Sequence, residues 1–272
     1  MTKNKKLKIL FIGDIFGQPG IDILAQHLPA LKNEHKIDIT IAQCENVTER
    51  KGFIKRDYDQ LKTIGVDICT LGNHVWAEEG IFEIIHNPDI IRPLNIDKSY
   101  AGQGTNIFYL DKGVSLRVTS LMGITFNKLM NPWKDEYADN FFDAMDIIKY
   151  SAEPADFHFV DFHAETTSEK AVLALYLDGD VDAVCGTHTH VQTNDARLLP
   201  KNTCFITDVG MTGPHNCAIG ANYKEVYENM RFRAKSRYQV SPNSCQLNAV
   251  VIELNTINKH KNKIIPIKID PK

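Results

Sequence analysis

The sequence predicts an α/β chain in which two β-sheets form a sandwich flanked by helices. Three observations carry this. Short apolar runs with strand character alternate with segments of helical period from residue 7 to residue 185. A β-rich stretch interrupts that alternation, at 106–110 and 114–121, joined by the turn Asp111-Lys112-Gly113. Two further strand-like runs follow at 247–254 and 263–269. The second and third features argue against a simple doubly wound sheet and for two sheets.

Taken in order, residues 7–13 read as a first buried strand. Ile21, Leu24, Ala25, Leu28 and Leu31 repeat with a helical period over 18–34, and Pro29 marks a place where that helix would shorten or kink. Residues 37–42 alternate like a strand, 57–64 are helical with Asp57 as a cap, and 66–71 form the next strand. A short helix is expected over 78–86, ended by Asn87-Pro88. After the β-rich middle come a helix at 139–150, a strand at 156–162, a helix at 168–177 and strands at 181–185 and 203–207. A Gly-rich loop, 208–214, offers backbone N–H groups that suit a phosphate. Residues 222–236 are polar, basic and partly helical, and are read as a segment projecting around 222–237 from one domain spanning 1–272.

Composition narrows the function. With 31 basic and 34 acidic residues, the net charge of −3 gives no bulk signal for nucleic acid, which stays open as a partner without being indicated. The basic stretch 1–8 precedes an apolar run too short for a secretory signal, and no run reaches the length of a membrane span. The six cysteines are scattered with no C-x-x-C pair, which reads as free thiols in a cytoplasmic protein. A homo-oligomer is left open.

The chemistry sits at strand ends. Five predicted strands run out into a residue able to bind a hard or borderline metal: Asp14, then Glu45-Asn46, then Asn73-His74, then His163, then His188-Thr189-His190. In α/β sheets, sites gather beyond the carboxyl ends of strands. Each residue alone has a plainer reading. Asp14 suits a turn or cap, Asn73 a left-handed turn after Gly72, and His163 a hydrogen-bonded core position. Two histidines at i and i+2 share one face of an extended segment, roughly 6–7 Å apart along the chain, within reach of one metal or of two neighbouring ones. The donors are carboxylate, amide oxygen and imidazole with no thiolate, and they are too many for one tetrahedral ion. Two metals about 3.5–4 Å apart, bridged by a carboxylate, account for them. His74 adjoins Asn73 and so is better used as a proton donor than as a ligand to the same ion. Asp161 and Glu165 are placed to orient an imidazole. Trp76 is weighed between stacking on a base and packing in the core.

This order of motifs resembles the calcineurin-like metallophosphoesterases. That superfamily usually carries D-x-H first, whereas this chain has Gly13-Asp14-Ile15-Phe16-Gly17, and Glu45 stands where a bridging Asp is usual. Those departures resemble one subgroup, the YmdB-like bacterial phosphodiesterases. The pattern is carried by Phe11-Ile12-Gly13-Asp14, Glu45-Asn46, Gly72-Asn73-His74, Asp161-Phe162-His163-Ala164-Glu165 with Thr167-Ser168-Glu169-Lys170, Gly186-Thr187-His188-Thr189-His190-Val191-Gln192-Thr193 and Ile206 through Pro214. The resemblance implies a metallophosphoesterase-like α/β sandwich holding two iron or manganese ions, with zinc as an alternative. It implies one metal on Asp14, Glu45, Asn46 and His190, and the other on Glu45, Asn73, His163 and His188. It further implies hydrolysis of a small phosphodiester such as a cyclic nucleotide by a metal-activated hydroxide, with His74 as the proton donor. Residues 47–52 and Ile124 depart from the family pattern on the substrate side. A phosphomonoesterase or nucleotidase of the same superfamily, and a non-catalytic nucleotide- or RNA-binding regulator, are the alternatives.

Overall fold

The computed structural model describes residues 4–271, so part of the basic stretch 1–8 lies outside the described residues. The elements in chain order are β1 (Lys6–Ile12), β2 (Asp14–Ile15), α1 (Gly17–His35), β3 (Ile39–Gln43), α2 (Lys55–Ile64), β4 (Ile68–Thr70) and β5 (Ile90–Ile91). Then come β6 (Thr105–Leu110), β7 (Val114–Met122), α3 (Phe141–Ser151), β8 (Phe157–His163), α4 (Thr167–Tyr176) and β9 (Ala183–Thr187). The remainder is β10 (Arg197–Leu198), β11 (Cys204–Ile206), β12 (Met211–Pro214), α5 (Tyr223–Phe232), β13 (Cys245–Asn255) and β14 (Lys263–Ile269).

These strands form two sheets, as the β-rich middle and the late β runs anticipated. One has the order β2-β12-β13-β1-β3-β4-β5 with β14 paired to β13, and the other β10-β11-β9-β8-β7-β6. Strand periodicity explains the layering, since successive side chains point to opposite faces. In β1, Leu7, Ile9 and Phe11 face the second sheet and share a core with Val118 of β7, Phe159 of β8 and Cys185 of β9. Phe11 and Phe159 meet edge to face at 4.8 Å across that layer. The alternate residues Leu10 and Ile12 lie instead with Leu24, Leu28 and Leu61 beneath α1 and α2. On the far side, Leu121, Val160 and Phe162 pack with Met145 and Leu173 beneath α3 and α4. The central strands of each sheet are thus buried on both faces.

β1, β3 and β4 run parallel in the first sheet, and β7, β8 and β9 run parallel in the second. Their carboxyl ends meet at one edge of the sandwich. Hydrogen bonds join the sheets there: the Thr70 hydroxyl donates to Asp161 Oδ2 at 2.6 Å and the Ser120 hydroxyl to Leu71 O at 2.8 Å.

Several local expectations are corrected. The helix α1 runs through Pro29 to His35. The helix expected over 78–86 is a single 3-10 turn, Glu79–Glu83. Gly80, a poor helix former, packs so tightly there that a Cβ would meet Ile54 Cγ2 at 2.7 Å. The loop expected over 208–214 becomes β12 over its last four residues. The short strands β2, β5 and β10 have no pattern of their own and exist through pairing with longer neighbours.

Candidate metal centre

Each sequence-nominated donor follows or ends a parallel strand. Asp14 follows β1, Glu45 and Asn46 follow β3, Asn73 and His74 follow β4, His163 ends β8, and His188 and His190 follow β9. Asp14, Glu45 and His163 are fully buried.

The tightest cluster centres on His163 Nε2. It lies 3.0 Å from Glu45 Oε1, 3.0 Å from Asn73 Oδ1 and 2.9 Å from His188 Nδ1. One ring nitrogen gives at most one proton, so three lone-pair atoms converge where one hydrogen is available. Glu45 Oε1 is buried without a hydrogen-bond partner, although His74 Nδ1 stands 3.2 Å from it. Ligand atoms of Glu45, His163 and His188 lie within 4.8 Å of one another. A set of imidazole, carboxylate and amide oxygens with an orphaned buried carboxylate oxygen fits a divalent cation. Gly72 permits the approach: a Cβ there would come within 2.3 Å of His163 Cδ2 and 2.5 Å of Glu45 Oε2.

A second cluster adjoins the first. His190 Nε2 lies 3.6 Å from Asp14 Oδ1 and 3.3 Å from Asn46 Nδ2. The His188 N–H donates to Asp14 Oδ2 at 3.1 Å and so ties the two clusters together. Asn46 turns Oδ1 toward His74 Nδ1, 2.7 Å away, and Nδ2 toward Asp14. A half-turn of that amide brings the oxygen to Asp14 and His190, as a metal ligand there requires.

Charge follows the geometry. Burial opposes ionisation of Glu45, yet His163 and His74 beside it hold its carboxyl well below the usual range. Burial likewise opposes charge on His163, and Glu45 nevertheless lifts it to about 9. For His188, burial and the charge on His163 act in the same direction, pushing it down to about 3 and keeping it neutral.

Supporting contacts fix the donors. The His163 Nδ1 side meets Thr187 Oγ1 at 3.0 Å, and the Thr187 hydroxyl donates to Asp161 Oδ1 at 2.7 Å. Asp161 therefore orients His163 through Thr187. Glu165 acts directly, with Oε2 3.0 Å from His188 Nε2. His190 Nδ1 donates to Ile219 O at 2.9 Å, which leaves Nε2 facing Asp14. Trp133 Nε1 donates to Asn73 O at 2.7 Å. Trp76 stacks on Phe82 and Tyr100, so it packs the loop carrying His74.

Lys170 and Asp208 lie in motifs of the family pattern, but nothing in the sequence signals that they pair. Lys170 and Asp208 form an ion pair at 2.7 Å with side chains 1% and 0% exposed. Asp208 Oδ2 also accepts from Thr189 N at 3.1 Å and from Thr189 Oγ1 at 2.7 Å, which pins the residue between the two histidines. The turn is strained without such support, since His188 and His190 take φ of 100° and 65°. The loop nominated for phosphate spends its donors internally: Val209 N–H donates to Gly186 O and Gly210 N–H to Asp208 Oδ1. It supports the histidine turn and does not offer its amides to an anion.

Glu45, Asn46, His188 and His190 of these clusters line a cavity of about 480 Å³. His74, Arg50 and Tyr238 line it, and α5, from the segment read as projecting, turns Val226 and Met230 into it. No helix among the described residues is long and apolar enough to cross a membrane.

A model of the family described as YmdB-like protein matches residues 10–267. The chain belongs to the YmdB-like family. This YmdB-like chain is 38% identical to the "2′,3′-cyclic-nucleotide 2′-phosphodiesterase" of Bacillus subtilis (strain 168), with 97% of each covered. Its fold matches a crystal structure described as a novel phosphatase from Mycoplasma pneumoniae at TM-score 0.88 and 36% identity, covering 98% of this chain and 94% of that one. A hypothetical protein from Thermus thermophilus matches at TM-score 0.87 and 34% identity, covering 98% and 100%. The metallophosphoesterase-like sandwich expected from the motifs is therefore the fold of this YmdB-like chain.

Proposed function

We propose that this chain is a dinuclear-metal phosphodiesterase acting on cyclic nucleotides. The observation that carries the reading is the convergence of Glu45, Asn73, His163 and His188 beside Asp14, Asn46 and His190, with Glu45, Asn46, His188 and His190 lining one cavity. The name of the Bacillus subtilis relative supports the substrate class. Glu45, Asn73, His163 and His188 would hold one ion, and Asp14, Asn46 and His190 the other, with Glu45 shared. Iron or manganese suits this thiolate-free set, and zinc is the alternative. Bound there, the ions would neutralise charge on the phosphoryl oxygens and make a water acidic enough to ionise near neutral pH.

The chain's own residues do the rest. Asp161 through Thr187, and Glu165 directly, keep His163 and His188 oriented. His74 directs its backbone N–H to Glu45 Oε2 at 2.9 Å, and its Nδ1 meets the Asn46 amide 2.7 Å away. With that amide turned so that Oδ1 serves the metal, Asn46 Nδ2 donates to His74 Nδ1, which leaves the ring proton on Nε2, the nitrogen free to protonate the leaving ribose oxygen. Val226, Met230 and Phe16 supply an apolar wall. A reducing, cytoplasmic setting agrees with the six free cysteines.

The test pairs elemental analysis with hydrolysis of bis-p-nitrophenyl phosphate and adenosine 2′,3′-cyclic phosphate. His74→Ala should lower kcat by about 10²–10⁴ with metal content unchanged. Loss of metal with activity per metal retained would show that His74 serves the metals and is not the proton donor.

A further inference from the structure

Directly after Glu45 and Asn46 the chain makes a tight loop. The Thr48 N–H donates to Gly52 O at 3.0 Å, the Lys51 N–H to Thr48 O at 3.1 Å, and the Thr48 hydroxyl to Asp57 Oδ2 at 2.6 Å. Gly52 takes φ of 101° against Glu78, where a Cβ would meet Cγ at 2.5 Å. The loop thus has a set shape, and it presents Arg50 and Lys51 to a groove of about 840 Å³. Arg237 and Tyr238 form the facing wall.

This groove is not the metal cavity, but the two share Arg50 and Tyr238. The Arg50 guanidinium carbon sits 5.4 Å from the centroid of the Tyr238 ring. Groove and cavity are thus neighbours that meet at that pair. Arg237 is spent on Glu49 at 3.1 Å and Arg56 on Asp57 at 2.8 Å. Glu49 and Glu78 also line the groove. Arg50 and Lys51 have no carboxylate at ion-pair distance among the described residues. Cations beside an aromatic face, in a groove adjoining the reacting centre, are how proteins hold a single nucleic-acid strand.

A 2′,3′-cyclic phosphate is not confined to free nucleosides. It is also the 3′ end left on RNA when a 2′-hydroxyl attacks the neighbouring phosphodiester. We propose that this chain acts on short RNA chains ending in a 2′,3′-cyclic phosphate, with the terminal nucleotide in the metal cavity and the preceding phosphates on Arg50 and Lys51. The proposal rests on the phosphodiesterase reading above. One water is consumed: its oxygen bonds phosphorus, one ring P–O bond breaks, and the ribose oxygen leaves with the proton from His74. The water's displaced proton restores His74. The reaction class that supplies such ends is RNA cleavage by 2′-hydroxyl transesterification.

The manganese-loaded protein is titrated with a 5′-fluorescein tetraribonucleotide bearing a 3′-phosphate, read by anisotropy, with adenosine 3′-monophosphate as competitor. The tetranucleotide should bind at least about tenfold tighter, the gain expected from two added phosphate contacts. With two phosphates held at about 0.7 each, its binding should weaken about sevenfold between roughly 50 and 200 mM salt. Lys51→Gln should lower the logarithmic salt slope by about 0.7, and Lys51→Arg should restore it. Equal affinity for the two ligands, or a slope unmoved by Lys51→Gln, overturns the proposal. Turnover of the cyclic-ended tetranucleotide and of adenosine 2′,3′-cyclic phosphate then separates the two readings. If only the mononucleotide is hydrolysed, the phosphodiesterase reading stands and the RNA proposal fails. If neither is hydrolysed, the phosphodiesterase reading fails and takes the proposed reaction with it.

Discussion

Replacing Lys170 with methionine tests whether the buried ion pair holds the histidine turn. Lys170 Nζ and Asp208 Oδ2 are 2.7 Å apart and almost wholly shielded from water. Removing one partner of a buried pair costs about 3–5 kcal/mol, because the other charge stays buried and uncompensated. Here the lower end applies. Asp208 keeps Thr189 N, Thr189 Oγ1 and, at Oδ1, Gly210 N as donors. Methionine also keeps an apolar stem where the lysine packs, against Gly186, so little cavity is added. Lys170→Met should therefore lose about 3 kcal/mol in urea unfolding, with a Tm lower by roughly 6–12 °C at about 2–4 °C per kcal/mol. Thr189 would be held less firmly, so manganese affinity should fall alongside stability. Lys170→Met combined with Asp208→Asn should recover part of the stability, since the unpaired charge is gone. A loss under about 1 kcal/mol, or a full loss with manganese affinity untouched, would refute the coupling of this pair to the histidine turn.

Gly72→Ala should abolish metal binding and destabilise the fold, because the new methyl overlaps His163 Cδ2 at 2.3 Å and both His163 and Glu45 are fully buried; metal analysis and melting would check both. Cys44, Cys69, Cys185 and Cys204 are buried, and burial pushes the Cys204 thiol up to about 12. Ellman's reagent should consequently reach at most the half-buried Cys217 and Cys245 in native protein and all six thiols after denaturation. Asp156 supplies a pH test. Burial opposes its ionisation, but Lys5 at 2.6 Å and Ser115 lower its pKa. A lowered folded-state value gives stability that is present above the unfolded value of about 3.9 and is lost as the pH falls through the folded one. Asp156→Asn should thus destabilise at pH 6 and converge with the parent toward pH 2 in acid melts.

Much of the site was legible in the chain because its donors lie in local motifs. Asp14, Glu45, Asn73, His163 and His188 each stand at or just beyond the end of an apolar run, and strand ends announce themselves by a change of composition over a few residues. The two-sheet fold was legible for the same reason, since period-two burial and the late β runs are local patterns. What failed to show were features with no period. The 3-10 turn at Glu79–Glu83 owes its shape to Gly80 packing on Ile54, and β12 exists because β13 and β2 lie beside it.

By itself, then, the sequence determined which residue types stand at the strand ends and that two sheets carry them, because burial period and motif order are properties of neighbours along the chain. Only the tertiary structure decided how they act together. Lys170 reaches Asp208 across 38 positions, His190 finds its acceptor at Ile219, and Arg50 meets Tyr238 to join cavity and groove. Such contacts depend on the packing of whole elements at close range, and no local pattern encodes them.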